Sequence, residues 1–121
     1  MTTMISDAKI CAVLEQEFPD LDFCKDKNPE YRDVYSYLNC LSLRTSQWMK
    51  GGQLQSLEHC FNLMNKLYRH CSRRVQAAIE NVYLYHLTRS INHSDRRWEI
   101  KQLLPASFRD VVYRHTFSGA I

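Results

Sequence analysis

Two histidine–cysteine dipeptides, His59-Cys60 and His70-Cys71, are the residues of this sequence best suited to chemistry. A thiol beside an imidazole can act as a nucleophile with its base, and the same two side chains can bind zinc. The dipeptides are eleven residues apart, so on one helix they share a face at ~16 Å, too far to hold one ion. No CxxC, CxxH or HxxxH spacing occurs. We therefore expect no metal and no cofactor.

Other catalytic arrangements are equally hard to find. His86 lies in the middle of an apolar helix face, where a core histidine bonded to a tyrosine or a carbonyl is a better interpretation than a general base. Asp95 and Glu99 are spaced i, i+4, but basic residues surround them, which favours an exposed ion-pair network. Only three glycines occur, so glycine-rich phosphate loops are excluded. The sequence predicts that the protein is not an enzyme.

The cysteine count and the first residues predict the compartment. Five cysteines are an odd number, and the chain has neither a secretion signal nor an apolar run long enough to cross a membrane. These features argue against a disulfide framework. We expect a cytoplasmic protein with no membrane partner, in which the cysteines pack as small apolar side chains.

Helical periodicity runs through almost the whole sequence and predicts an all-α protein. Apolar residues recur at helical spacing in six segments, which caps, prolines and Gly51-Gly52 delimit. We expect helices over about 7–17, 29–49, 53–71, 73–90, 96–104 and 105–115. The third and fourth form a helical hairpin, Gln53–Ser90. This hairpin is the predicted centre of a single domain of residues 1–121, a bundle of five to six helices.

Three segments have less regular patterns. Asp20–Lys27 is predicted to be a charged loop, and Thr116–Ile121 a frayed tail. Val82–Leu87 is apolar nearly all round, which fits either a helix enclosed by neighbours or a buried strand. We favour a helix, because no glycine or proline interrupts the period before it.

Charge is unevenly distributed along the chain. Residues 1–33 carry eight acids and four bases, a local charge of −4, whereas the other residues carry five acids and twelve bases, a charge of +7. Such an acidic segment can orient the protein on a partner, or it can lie against the basic remainder of its own chain. The sequence leaves both alternatives open.

One surface of the third helix predicts a contact site. Leu63 projects from its polar side, with histidines and a lysine at helical spacing around it, and the basic hairpin turn extends this stripe. The predicted partner-binding residues are His59, Leu63, Lys66, Arg69, His70, Arg73 and Arg74. Two alternatives use the same surface: a homo-oligomer contact through the Leu63 stripe, and a small nucleic-acid-binding or regulatory protein that uses the basic turn.

Three segments resemble small all-helical bacterial domains of the polymorphic and contact-dependent toxin immunity type. They are FNLMNKL at 61–67, VQAAIEN at 75–81 leading to YHL at 85–87, and LLP at 103–105. The resemblance implies a cytoplasmic, non-enzymatic immunity protein that neutralises one cognate toxin by direct binding and occlusion of its active site.

The charge of the toxin would then select the contact residues. A nuclease with a basic cleft suits an acidic surface, made of Glu15, Glu17, Asp20, Asp22 and Asp26. A toxin that works through acidic residues suits the arginines of the basic turn instead, namely Arg69, Arg73 and Arg74.

Overall fold

Six helices build this protein, as a computed structural model that describes residues 4–21 and 33–118 shows, with side chains up to Thr116. Within the described residues they are α1 (Asp7–Glu17), α2 (Val34–Lys50), α3 (Leu54–His70), α4 (73–92), α5 (Arg97–Leu103) and α6 (Ala106–Ser118). α4 is one rod that joins α-helix Arg73–Ala78, π-helix Ile79–Leu84 and α-helix Tyr85–Asn92. The predicted all-α, single-domain fold is confirmed.

Most helix ends follow the capping signals of the sequence. The hydroxyls of Ser6 and Ser72 each accept a hydrogen bond of 3.2 Å from a backbone N–H in the first turn of α1 and α4. α1 ends at Glu17, directly before Phe18-Pro19. α2 ends at the glycine pair, where Gly52 has a φ of +66° that residues with a side chain rarely adopt.

The start of α2 differs from its prediction. Asp33 is extended, with φ −112° and ψ 159°, and its Oδ1 accepts a 2.7 Å hydrogen bond from the backbone N–H of Ser36. The prediction of one helix from Pro29 to Met49 is therefore wrong, because an extended residue interrupts it. The Asn28-Pro29 start signal itself lies outside the described residues.

The structure describes all or part of each of the three less regular segments. Val82–Leu87 is helical. The predicted frayed tail is wrong for its first residues, because α6 continues to Ser118 and the Thr116 hydroxyl donates to the Val112 carbonyl at 2.8 Å. Residues 119–121 lie outside the described residues. Of the predicted loop, Asp20 is exposed and Leu21 is buried, and residues 22–27 are not among those described.

α2 packs against α1, α3 and α4, so both arms of the hairpin Gln53–Ser90 lie on it. α5 packs on α3 and α4, and α6 packs on α4. The largest fully buried side chains are aromatic: Tyr37, Tyr83, Phe61 and Phe108. Burying one such ring contributes roughly 1.5–3 kcal/mol to the free energy of folding, so these four residues contribute substantially to the packing of the helices. Tyr35 has helical spacing with the buried residues Leu38 and Leu41 of α2, but it is 44% exposed.

None of the described helices combines the length and the apolar character that crossing a membrane requires.

Candidate functional site

α1 lies beside the predicted contact stripe of α3 and is tied to it at both ends. Asp7 forms an ion pair with Arg74, and Glu17 Oε2 lies 3.2 Å from His59 Nε2. The backbone N–H of Ile5 donates to the carbonyl of His70 at 2.7 Å. These contacts make α1 antiparallel to α3. Within the described part of the chain, the acidic segment therefore lies against its own basic body, which was one of the two alternatives.

This contact divides the predicted partner-binding residues into two groups. His59 and Arg74 have carboxylate partners in α1. Leu63 is half-buried and packs against the core, so the prediction that it projects from the polar side is wrong. The other four are exposed and have no carboxylate partner among the described residues; we call them the basic corner: Lys66, Arg69, His70 and Arg73.

Two of the acidic residues that were predicted as an alternative contact surface, Glu15 and Glu17, have partners within the chain. The Tyr37 hydroxyl donates a hydrogen bond to the half-buried Glu15 carboxylate, which ties α1 to α2. Glu17 faces His59, and Asp20 is exposed. Asp22 and Asp26 lie outside the described residues. Of the three acids of this set that the structure describes, Glu15 and Glu17 therefore have partners within the chain.

The thiol of Cys60, which the sequence offered as a candidate nucleophile or zinc ligand, lies in the core. Its sulfur lies 3.2 Å from the Tyr83 hydroxyl, which in turn is 2.9 Å from Thr45 Oγ1. Burial raises the pKa of the Cys60 thiol to about 11, against the smaller effect of these hydrogen bonds, and burial likewise raises the pKa of Cys71. Neither thiol is a nucleophile near neutral pH, because the thiolate is the reactive form. The described residues also contain no group of three or more possible metal ligands.

The π-helical segment Ile79–Leu84 changes which residues of α4 face outward. A π turn takes one residue more than an α turn, so the buried set moves from Val75, Ala78 and Ile79 to Tyr83, Leu84, Leu87, Thr88 and Ile91. His86 is therefore exposed. The prediction of a core histidine is wrong, because it assumed an unbroken 3.6-residue period.

Contacts from two other helices hold this segment through Glu80. The Tyr68 hydroxyl of α3 donates to Glu80 Oε1 at 2.7 Å, and Arg114 of α6 lies 3.6 Å from the same oxygen. Nε2 of His115, the next residue of α6, lies 3.1 Å from the Glu80 carbonyl oxygen. Tertiary contacts thus surround the π turn on two sides.

An open groove of about 790 Å³ lies between the C-terminal halves of α2 and α4. From α2 it is lined at helical spacing by Asn39, Ser42, Leu43, Ser46, Met49 and Lys50. From α4 and the following turn it is lined by His86, Arg89, Ser90, His93, Ser94, Asp95 and Arg96. α2 contributes residues at i, i+3, i+4 and i+7, and α4 contributes residues at i, i+3 and i+4 with His93 directly after its end, so two stripes face one another. We call this the cationic groove.

The charges of the cationic groove are mostly uncompensated. Lys50, Arg89 and Arg96 have no carboxylate within ion-pair distance among the described residues, and Asp95 is the one acid in the lining. Arg96 lies against the backbone of Gly52, where an added Cβ would be 3.1 Å from its Nη1. The glycine therefore leaves room for this guanidinium at the rim.

Sequence reasoning missed this groove. A signal for half of it was present, since His86, Arg89, Ser90 and His93 have helical spacing. The predicted helix had an unbroken 3.6-residue period, which placed His86 on the buried face. His86 was therefore not grouped with Arg89, Ser90 and His93. The facing stripe of α2 is an ordinary polar helix surface until the tertiary fold sets it opposite α4.

A protein family matches most of the sequence. Residues 11–119 match the family described as a domain of unknown function, DUF7674. The chain belongs to this family. No curated protein matches the chain, and no solved structure does. The match of the DUF7674 family covers all six helices except the first residues of α1.

Proposed function

We propose that this protein is a non-enzymatic binding protein of the cytoplasm that neutralises a toxin by docking its basic corner on an acidic surface of that partner. The observation that carries the proposal is the set of four exposed basic residues without carboxylate partners among the described residues: Lys66, Arg69, His70 and Arg73. Exposed cations without partners attract an acidic surface at long range and pair with it on contact.

The rest of the molecule is consistent with binding rather than catalysis. The Cys60 thiol is buried and its pKa is raised to about 11, which removes the most reactive side chain from use. α1 occupies one side of the stripe, so the partner would approach from the side of Arg69 and Arg73. Acidic residues of α1 already have partners in the chain, which favours the basic corner over the acidic surface as the contact.

A charge-reversal experiment tests the proposal. The variant R69E/R73E keeps the Asp7–Arg74 pair. If the neighbouring gene encodes a toxin, we expect this variant to fold normally but to bind that toxin at least about tenfold more weakly in calorimetry. It should also fail to rescue growth of cells that produce the toxin. The matched control R97E/R109E reverses two exposed arginines on α5 and α6 and should retain both activities. Equal affinity of R69E/R73E and the unmodified chain would refute the assignment.

Salt dependence separates protein binding from the nucleic-acid alternative. Duplex binding through phosphate contacts weakens steeply between low and physiological salt. Salt also weakens the pairing of exposed basic side chains with an acidic surface, but binding to a cognate toxin should persist at physiological salt. Tight binding of a DNA duplex that is lost at physiological salt, with no toxin binding, would favour a nucleic-acid-binding protein. Light scattering of the isolated chain tests the homo-oligomer alternative.

A further inference from the structure

We propose that the cationic groove binds an organic polyanion of about nucleotide size, with two or more phosphate or carboxylate groups. The groove is separate from the basic corner, so this inference does not depend on the proposed function. Three permanent cations from three parts of the chain line it: Lys50 at the end of α2, Arg89 in α4 and Arg96 in the turn before α5.

The groove keeps an excess of positive charge. Among the described residues, its lining has three permanent cations and a single carboxylate, Asp95, together with the imidazoles of His86 and His93. Lys50 and Arg89 lie in the last turns of α2 and α4, where the partial negative charge of a helix end favours a cation. Arg96 directly precedes α5, where the helix dipole disfavours a cation, and an anionic ligand would neutralise this charge.

Two arginines give the site its preference for oxyanions. A guanidinium offers parallel N–H donors that match the oxygens of a phosphate or a carboxylate. Arg96 is held at the rim, because its guanidinium packs on Gly52 and its backbone N–H donates to Ser94 Oγ at 3.1 Å. A side chain that is already held in place loses less conformational entropy when a ligand binds, so binding costs less free energy.

The wall between the cations adds hydroxyl groups and apolar contacts. The hydroxyls of Ser46 and Ser90 lie 2.8 Å apart and link α2 to α4. One hydrogen bond between two hydroxyls uses one of their two protons, so the pair keeps a donor for a ligand. Leu43 is 70% exposed at the side of the groove and offers a surface for the carbon skeleton. The volume of about 790 Å³ lies within the range of small-molecule sites.

Calorimetry of the full chain at physiological salt tests the proposal with three probes: ATP, inorganic pyrophosphate and citrate. We expect at least one of them to bind, and the comparison between phosphate and carboxylate probes identifies the preferred group. The variant R89Q/R96Q should weaken that binding at least about tenfold. The matched variant R69Q/R73Q removes two charges from the basic corner and should leave it unchanged.

A second variant keeps the net charge constant. Gly52→Ala places a Cβ against the Arg96 guanidinium and should reduce affinity, whereas Gly51→Ala should not. Circular dichroism confirms that each variant is folded. Absence of binding for all three probes at about 1 mM would overturn the proposal, and so would equal losses in R89Q/R96Q and R69Q/R73Q, which would indicate a nonspecific effect of charge.

Discussion

Thr45 Oγ1 lies 2.9 Å from the hydroxyl of Tyr83, and this hydrogen bond joins α2 to the π-helical segment of α4 inside the core. Both residues are buried, and Thr45 Oγ1 also donates to the Leu41 carbonyl at 2.7 Å. Cys60 completes the group from α3, since its sulfur is 3.2 Å from the same hydroxyl. No buried side-chain nitrogen or oxygen of the described residues lacks a hydrogen-bond partner.

Removal of the Tyr83 hydroxyl should destabilise the protein without changing its fold. Tyr83→Phe retains the ring and loses the polar link between three helices, so the free energy of unfolding should fall by about 1–3 kcal/mol in urea denaturation. Thr45→Val removes the facing oxygen at similar volume. The double variant should cost less than the sum of the two single variants, because the residues share one interaction. Strictly additive losses would contradict this coupling.

The raised pKa of Cys60 predicts a loss of stability at alkaline pH. Its thiol has a pKa of about 11 in the folded protein against a reference value of 9.0, so the unfolded chain loses this proton first as the pH rises. The contribution is fully present below pH 9 and is lost between about pH 9 and 11. Between about pH 9 and 11, the free energy of unfolding of the unmodified protein should fall by up to about 3 kcal/mol more than that of Cys60→Ala.

Alkylation offers an independent measurement of the same property. At pH 8 the folded protein should leave Cys60 and Cys71 unmodified by iodoacetamide, whereas denatured protein should be modified at both, as mass spectrometry of peptides would show. Rapid modification of Cys60 in the folded state would mean that this thiol is not buried in solution.

Deletion of one residue should convert the π turn into α-helix. Asn81 is exposed within Ile79–Leu84, and without it the buried residues of α4 would recur with the ordinary helical period. We expect the variant lacking Asn81 to fold, with a loss of roughly 1–3 kcal/mol in thermal or urea unfolding.

The control for this deletion is an exposed asparagine in a regular helix. Removal of Asn62 from α3 rotates the residues after it by about 100°, which takes Met64 and Leu67 off the buried face. That variant should not unfold cooperatively. If both deletions had the same effect, the π segment would not be an inserted residue in a regular pattern.

The two adjacent glycines should respond differently to alanine. Gly52→Ala forces an L side chain into a φ of +66° and should cost roughly 1–2 kcal/mol. Gly51 has φ −85° and ψ −1°, angles that residues with a side chain adopt in turns, and its added Cβ would lie 3.4 Å from the Gln47 carbonyl oxygen. Gly51→Ala should therefore change stability by no more than about 0.5 kcal/mol in the same unfolding assay. A larger cost at Gly51 than at Gly52 would contradict the assigned conformations.

The sequence predicted most of the helices because their signals are local. Ser72 caps the helix that its position indicates, and Ser6, one of the two caps that the sequence offers for α1 beside Thr3, accepts a hydrogen bond there. Gly51-Gly52 ends α2, and the apolar periods of α3 and α6 match their buried faces. Side chains at i, i+3 and i+4 share a face in any regular helix, so such patterns can be read without knowledge of the neighbours. The buried thiols follow from the same reasoning.

The tertiary structure decided how those helices present their surfaces. A π turn held by Tyr68, Arg114 and His115 against Glu80 shifted the phase of α4 and moved His86 from the predicted core into the cationic groove. The position of α1 paired Arg74 and His59 with acids far away in sequence. By itself the sequence determined an all-α domain and the inner face of most helices. Contacts between residues far apart in the sequence decide which of the described cations have a carboxylate partner. The helical spacing of apolar residues carries no information about such contacts.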